Sequence, residues 1–216
     1  MTHVIAPAPQ FSWDPGWQIV PDGEDWLLLA SGPPVGLTQA QVVSAGSAAE
    51  VLVLSRQADG RRATVEVLPA DRPDCVIALR CRGSGPRRRA RELLSATDPE
   101  PRSLLPSDVR HLNLAAESFG CELLWQDVRV LTPGLQHVYA TSDRRPLTTV
   151  VTRGDEPRDW VQAGRAAALC SLIARELGLV LDFGVHAFCG LETRQEVRRL
   201  WQLDGWPQAQ FTLAAA

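Results

Sequence analysis

Hydrophobic and polar positions recur regularly enough to lay out most of the chain. Residues 1 to 16, rich in proline and aromatics, predict an irregular arm. Trp17-Gln-Ile-Val and Trp26-Leu-Leu-Leu-Ala30 flank a turn at Pro21-Asp22-Gly23 and predict a hairpin. Thr38 with Gln41 three residues on makes a capping box, opening a helix that runs to Asp59-Gly60. Two strands follow, near 63–68 and 74–82. Ser107 is placed to cap a helix carrying Val109, Leu112, Ala116 and Phe119 and ending at Gly120, with a strand from Cys121 to Trp125 directly after. The β-branched stretch Pro146 to Thr152 predicts a buried strand. Asp159 then caps a helix continuing to Leu177, with Gly178 at the left-handed position that ends it. That helix is apolar nearly all round (Ala163, Ala166, Ala167, Leu169, Leu172), which predicts a central, covered position. Thr193 and Glu196 form another capping box for a short helix to Trp201, and Ala209 to Leu213 is the last strand.

The two long helices echo each other. Residues 45–60 align without gaps on 163–178, an offset of 118, with identities at Ala45/Ala163, Gly46/Gly164, Ala48/Ala166, Ala49/Ala167, Leu54/Leu172 and Gly60/Gly178. Each segment leads into a strand. Gly46 with Ala49, and Gly164 with Ala167, put small residues three apart on one helix face, where two backbones can approach closely. The pattern predicts two related halves facing each other across a pseudo-two-fold axis, a dimer-like core within one chain.

Composition narrows the chemistry. All 22 basic residues are arginine and none is lysine, which excludes a P-loop, a Schiff-base lysine and a lysine carrying biotin or lipoyl. A net charge of -3 argues against a broad nucleic-acid footprint, although Pro86-Arg87-Arg88-Arg89-Ala90-Arg91 is locally basic. No apolar run is long enough to span a bilayer and no signal-peptide pattern opens the chain, so a cytoplasmic protein with no membrane partner is expected. Cys75, Cys81, Cys121, Cys170 and Cys189 include no CxxC pair. They are expected to be buried reduced thiols, with neither a disulfide framework nor a metal site. No Ser-His-Asp order, carboxylate pair or dinucleotide loop stands out, and no catalytic side chain is assigned.

Several motifs, taken in order, resemble the nitroreductase superfamily. They are Thr148 to Gly164 (TTVVTRGDEPRDWVQAG), the small-residue helix, Glu176-Leu-Gly-Leu179, and Trp206-Pro207-Gln208 before the final strand. Val43 to Ala49, Val67 to Asp71, Pro73-Asp74 and the Arg87 to Arg91 cluster fit the same template, which is most similar to the Acg-like group, where two nitroreductase-type halves are fused. The resemblance implies an α+β fold, a mixed and mainly antiparallel sheet flanked by helices in two pseudo-symmetric halves. Residues 1–85 would form a trimmed first half and 86–216 the second, together one compact unit.

The resemblance also implies one FMN at the junction of the halves, with NAD(P)H as reductant and a small aromatic substrate. Arg87, Arg89 and Arg91 match an element whose arginines meet the flavin phosphate and ribityl chain, a role that the fixed, bidentate guanidinium suits. Arg89 stands where relatives carry Ser or Thr. The element that approaches the flavin ring is reduced to Ala6 through Trp17, keeping Trp13 and Trp17 but no Asn, and the chain as given ends in Ala214-Ala215-Ala216 without a basic tail. Asp182 to His186 match a turn that presents backbone amides to the flavin, with Gly184 as the donor. Three functions follow from this: an FMN-dependent oxidoreductase, a flavin-holding protein without turnover, or a scaffold or partner subunit that kept the fold and lost the ligand. A monomer, a homo-oligomer and a heteromer all remain open.

Overall fold

The computed structural model describes residues 16–31, 36–97, 100, 102–126, 147–184 and 190–213. Its first part contains β1 (Trp17–Asp22), β2 (Asp25–Ala30), α1 (Gln39–Ala58), β3 (Arg61–Val67), β4 (Cys75–Ser84) and α2 (Arg88–Ser95). There follow α3 (Pro106–Glu117), β5 (Glu122–Gln126), β6 (Leu147–Thr152), α4 (Pro157–Glu176), β7 (Leu181–Gly184), α5 (Leu191–Leu200) and β8 (Trp206–Leu213).

The strands form two four-stranded antiparallel sheets with the same plan. The order is β1-β2-β4-β3 in one and β5-β6-β8-β7 in the other, each with a 20-residue helix between its second and third strands in sequence. The fold is mixed α+β. Between the sheets α1 and α4 lie side by side and parallel: Gly46 backs onto Val161, Gly164 onto Val43 and Ser47, and Arg165 reaches Glu50. Leu54 shares a cluster with Leu172 at the far end.

Each long helix serves both cores. Val42, Ala45, Ala49 and Leu52 of α1 pack on Leu28, Ile77 and Leu79 of the first sheet, where α4 contributes Val161. Ala163, Ala167 and Cys170 of α4 pack with Leu112, Val150 and Phe211 around the second sheet, where α1 contributes Val43. Ala40 of α1 joins the second core as well, and Val43 and Val161 are themselves 118 apart.

Local signals account for the element ends. The Gln41 amide donates to Thr38 Oγ1 (3.3 Å) and the Thr38 amide to Gln41 Oε1 (2.8 Å), the expected reciprocal cap of α1. Gly60 and Gly178 adopt φ of +84° and +77°, as the end of each long helix requires. Three helix starts differ from expectation. Helix α3 begins at Pro106, whose fixed φ and missing N–H suit the first turn, and Asp108 rather than Ser107 accepts from the Leu105 amide (2.9 Å). Helix α4 likewise begins at Pro157, and Asp159 caps from inside by accepting from the Glu156 amide (3.1 Å). Helix α5 starts after Gly190 with no side-chain cap bond, so Thr193 lies inside its first turn, next to Arg194, which is 3% exposed.

Candidate functional site

Two of the motifs that carried the resemblance, Thr148 to Gly164 and Trp206-Pro207-Gln208, meet at the N-terminal end of the paired helices. The Gln208 side-chain amide donates to Thr152 Oγ1 (2.9 Å), the Gly154 carbonyl (3.2 Å) and Asp155 Oδ1 (3.2 Å). Asp155 also accepts from the Trp160 indole (2.7 Å) and from Arg194 (3.0 Å), and Arg194 lies over the Trp160 ring at 5.9 Å. Gln39, at the first turn of α1, donates to the Gln208 carbonyl (2.7 Å) and to its Oε1 (3.0 Å). Five elements and one loop are thus joined by a network of polar groups, which fixes where the helix ends stand relative to β8. Thr152, Asp155 and Gln208 lay within recognised motifs. Gln39 and Arg194 carried no local signal, since their partners are 169 and 39 residues away.

A second polar feature lies on the second sheet. Thr149 and Gln210 stand directly opposite each other, Thr149 fully buried and Gln210 8% exposed, and among the described residues neither Thr149 Oγ1 nor Gln210 Oε1 has a hydrogen-bond partner. The corresponding pair in the first sheet is Leu27 opposite Ala78, both apolar and buried. Gly184 faces Gln210 from the other side, in the register β7 to β8. The turn expected at Asp182 to His186 is therefore strand as far as Gly184. An orphaned buried acceptor costs about 1–3 kcal/mol, so polar residues at this spot in one sheet only call for an explanation.

Arg87, Arg89 and Arg91 of the basic run sit elsewhere. Arg91 Nε donates to the Ala58 carbonyl at the last turn of α1 (2.9 Å). Arg89 forks onto Glu176 at the last turn of α4, with one arm at 2.7 Å. The Arg87 guanidinium lies over Gly60, where any Cβ would collide with it. Trp17 donates its indole N–H to the Gln41 carbonyl (3.1 Å) in the first turn of α1. With a rise of 1.5 Å per residue, Gln41 and Ala58 are about 25 Å apart along the helix. Trp17 and Arg91 thus hold opposite ends of one helix, and the five residues named from the sequence do not meet at one place. Trp13, His186 and Cys189 lie outside the described residues.

A cleft of about 540 Å³ opens where β5, β6 and β8 meet the end of α3. Its charged lining is Glu117, Glu122, Asp204 and Arg153, three carboxylates against one cation, which repels rather than attracts a phosphate. Among the described residues no group of three or more His, Cys, Asp or Glu could hold a metal ion, and no helix is long and apolar enough to cross a membrane.

Two ion pairs matter for the frame. Arg165 donates to Glu50 between the long helices (2.9 Å) and covers the Phe119 ring at 4.6 Å. Burial raises the Glu50 carboxyl above its ordinary pKa, and Arg165 only partly opposes this. Arg102 binds both oxygens of buried Asp108 (2.8 and 3.1 Å) while its Nε donates to the Leu177 carbonyl at the end of α4 (2.8 Å). That guanidinium, helped by the Leu105 amide, holds the Asp108 carboxyl below the usual range. Cys75, Cys81, Cys121 and Cys170 are free and buried, and desolvation pushes the Cys121 thiol up to about 12.

No protein-family model matches the chain, and no curated protein matches it. Among solved structures it is similar to one from Bacteroides thetaiotaomicron VPI-5482, described as an NADH dehydrogenase/NAD(P)H nitroreductase. The TM-score is 0.45 at 12% identity, over 57% of this chain and 83% of that chain.

Proposed function

We propose that the chain is a nitroreductase-like flavin protein of the fused, Acg-like kind, holding one FMN beside the second sheet and working as an NAD(P)H-linked oxidoreductase or as a flavin holder. The observation that carries this reading is the orphaned pair Thr149 and Gln210 next to Gly184. The first sheet has Leu27 and Ala78 at those positions, so a polar ligand edge would be met once per chain. Thr149, Gln210 and the Gly184 backbone are the groups that would meet that edge, and the flavin itself would supply hydride chemistry. The internal pairing of α1 with α4 adds support, because it builds within one chain the junction that such a protein otherwise obtains by dimerising.

The phosphate side of the ligand does not fit the residues first assigned to it. Arg89 and Arg91 are committed to Glu176 and the Ala58 carbonyl, and Arg87 lies on Gly60. This favours a second reading, a scaffold or partner subunit that has kept the fold without flavin or turnover.

One experiment separates the two. The protein is purified without added flavin, its visible spectrum is recorded, and FMN is titrated against wild type and Gln210→Leu. Flavin absorbance or saturable binding in wild type, weakened at least tenfold in Gln210→Leu, supports the flavin reading, and bleaching by NADPH then assigns turnover. No flavin bands and no binding up to high micromolar FMN leave the scaffold.

A further inference from the structure

Helix α2 occupies a particular place. Its apolar face, Ala90 and Leu93, packs between Leu54 of α1 and Leu172 of α4, which are equivalent residues of the two halves at the 118-residue offset. It therefore lies astride the pseudo-two-fold axis. A single helix on such an axis has no symmetric counterpart, so it marks the point where the pair ceases to behave as a dimer and becomes one asymmetric unit.

The same end of the molecule has an electrostatic problem. Because α1 and α4 are parallel, their macrodipoles point the same way, and two C-termini, each worth about half a negative charge, are brought side by side. Arginine answers this at both. Arg91 donates to the Ala58 carbonyl and Arg87 lies over Gly60 at the end of α1. Arg89 takes Glu176 at the end of α4, where Arg102 also donates to the Leu177 carbonyl and lies over Gly178, its Nε 3.4 Å from where a Cβ would stand. Successive arginines of one short helix thus reach two different helix ends. Residues 80–91 contain six arginines and no carboxylate, so the segment that enters α2 is purely positive up to Glu92, which pairs with Arg88 on the outer side and lies 3.9 Å from Arg89.

We infer that α2 is an electrostatic staple of the internal dimer: its apolar face plugs the groove between α1 and α4, and Arg87, Arg89 and Arg91 neutralise and tie together the two aligned helix C-termini. The inference stands without a bound flavin and replaces the phosphate role that sequence matching gave these arginines. Arg88 is the control the sequence provides. It is 94% exposed on its side chain, and among the described residues it pairs only with Glu92 on its own helix.

The test uses full-length Arg89→Gln, Arg91→Gln, their double variant and Arg88→Gln, with thermal melting followed by circular dichroism at low and high salt. The staple predicts a fall in Tm of about 2–4 °C for Arg91→Gln, a larger fall for the double variant, partial recovery of the difference in high salt, and little change for Arg88→Gln. An unchanged Tm in the double variant overturns the inference, as does an equal fall in Arg88→Gln, which would reduce the effect to net charge. Where wild type binds FMN, a tenfold loss of FMN affinity in the double variant at an unchanged Tm returns the arginines to the phosphate. Because melting needs no flavin, failure of the flavin reading leaves this test intact.

Discussion

Gly46 and Val161 meet backbone to backbone: a Cβ on Gly46 would collide with the Val161 carbonyl, and, 118 residues out of phase, a Cβ on Gly164 would collide with the carbonyl of Val43. The contact is reciprocal in the way a two-fold interface is, residue i on j and its equivalent on the equivalent of j. Alanine at either glycine gains up to about 1 kcal/mol of helix propensity. It loses more, because the obstacle is main chain and can yield only if the helices separate. Gly164→Ala is expected to destabilise by about 1–3 kcal/mol net, measurable as a lower urea midpoint, and the double Gly46→Ala, Gly164→Ala variant should lose more. A Gly164→Ala variant as stable as wild type would mean that the helices are not held in this register.

The Glu50–Arg165 pair predicts an asymmetry. Glu50 is 5% exposed, whereas the Arg165 side chain is 18% exposed and has a stem long enough to turn outward. Removing the arginine strands a buried carboxylate, while removing the carboxylate leaves a cation with a route to water. Arg165→Met is therefore expected to cost about 3 kcal/mol near neutral pH and Glu50→Gln clearly less. The pH dependence follows from burial. A carboxyl whose folded pKa lies above its ordinary 4.5 binds its proton more tightly when folded, so its contribution to stability falls as pH rises through that window. Arg165→Met should widen the window, and its deficit in urea melts should shrink on going from about pH 8 to about pH 5.

Much of this frame was legible in the sequence because its determinants are local. Capping at Thr38, the terminal glycines Gly60 and Gly178, and the small-residue faces at Gly46 and Gly164 can each be read within one or two turns of helix. The echo at offset 118 turned two local readings into a packing expectation. What was not legible depends on which elements tertiary packing brings together. The basic run from Arg87 to Arg91 advertises charge but not the partner. Only the parallel placement of α1 and α4 sets helix C-termini and Glu176 in front of it. Thr193 with Glu196 has the spacing of a cap, but the helix starts at Leu191, and the partner of the buried Arg194 beside it, Asp155, is far away in sequence. Thr149 and Gln210 sit in strands whose pattern reads as plain core, and only comparison with Leu27 and Ala78 in the matching register makes them unusual.

Asp155 is the hub of the polar network at the helix N-termini, with Gln208, Trp160 and Arg194 all donating to it. Asp155→Ala removes the carboxylate that the structure places on an arginine side chain only 4% exposed, and is expected to cost about 3 kcal/mol. Asp155→Asn keeps an acceptor for the Trp160 indole and should cost less. Tryptophan fluorescence during denaturation reports both the loss of stability and the changed surroundings of Trp160; equal stability of Asp155→Ala and wild type would show the network to be dispensable.

The buried thiols give a chemical prediction. Cys121 and Cys170 are deprotonated only well above physiological pH, because burial opposes the thiolate, and the thiolate is the reactive form. Cys75 and Cys81 are raised for the same reason. Native protein treated with iodoacetamide near pH 8 should remain unmodified at these four positions by peptide mass mapping, and urea should release all four. Rapid native labelling at Cys121 would contradict its burial against the α3–β5 turn.

Asp108 sets the acid limit of the end of α4. It links Arg102, which holds the Leu177 carbonyl, to the Leu105 amide at the start of α3, so a single carboxylate ties the C-terminus of one helix to the N-terminus of another. Its folded pKa lies below the ordinary 3.8. The stabilisation is therefore fully present above that ordinary value and is lost as pH falls through the folded value, opposite in sign to Glu50. Asp108→Asn should melt at lower temperature than wild type at neutral pH, with the gap closing as both are acidified below about pH 4. A gap that stays constant with pH would mean that Asp108 acts through shape and hydrogen bonding alone, with no net contribution from its charge.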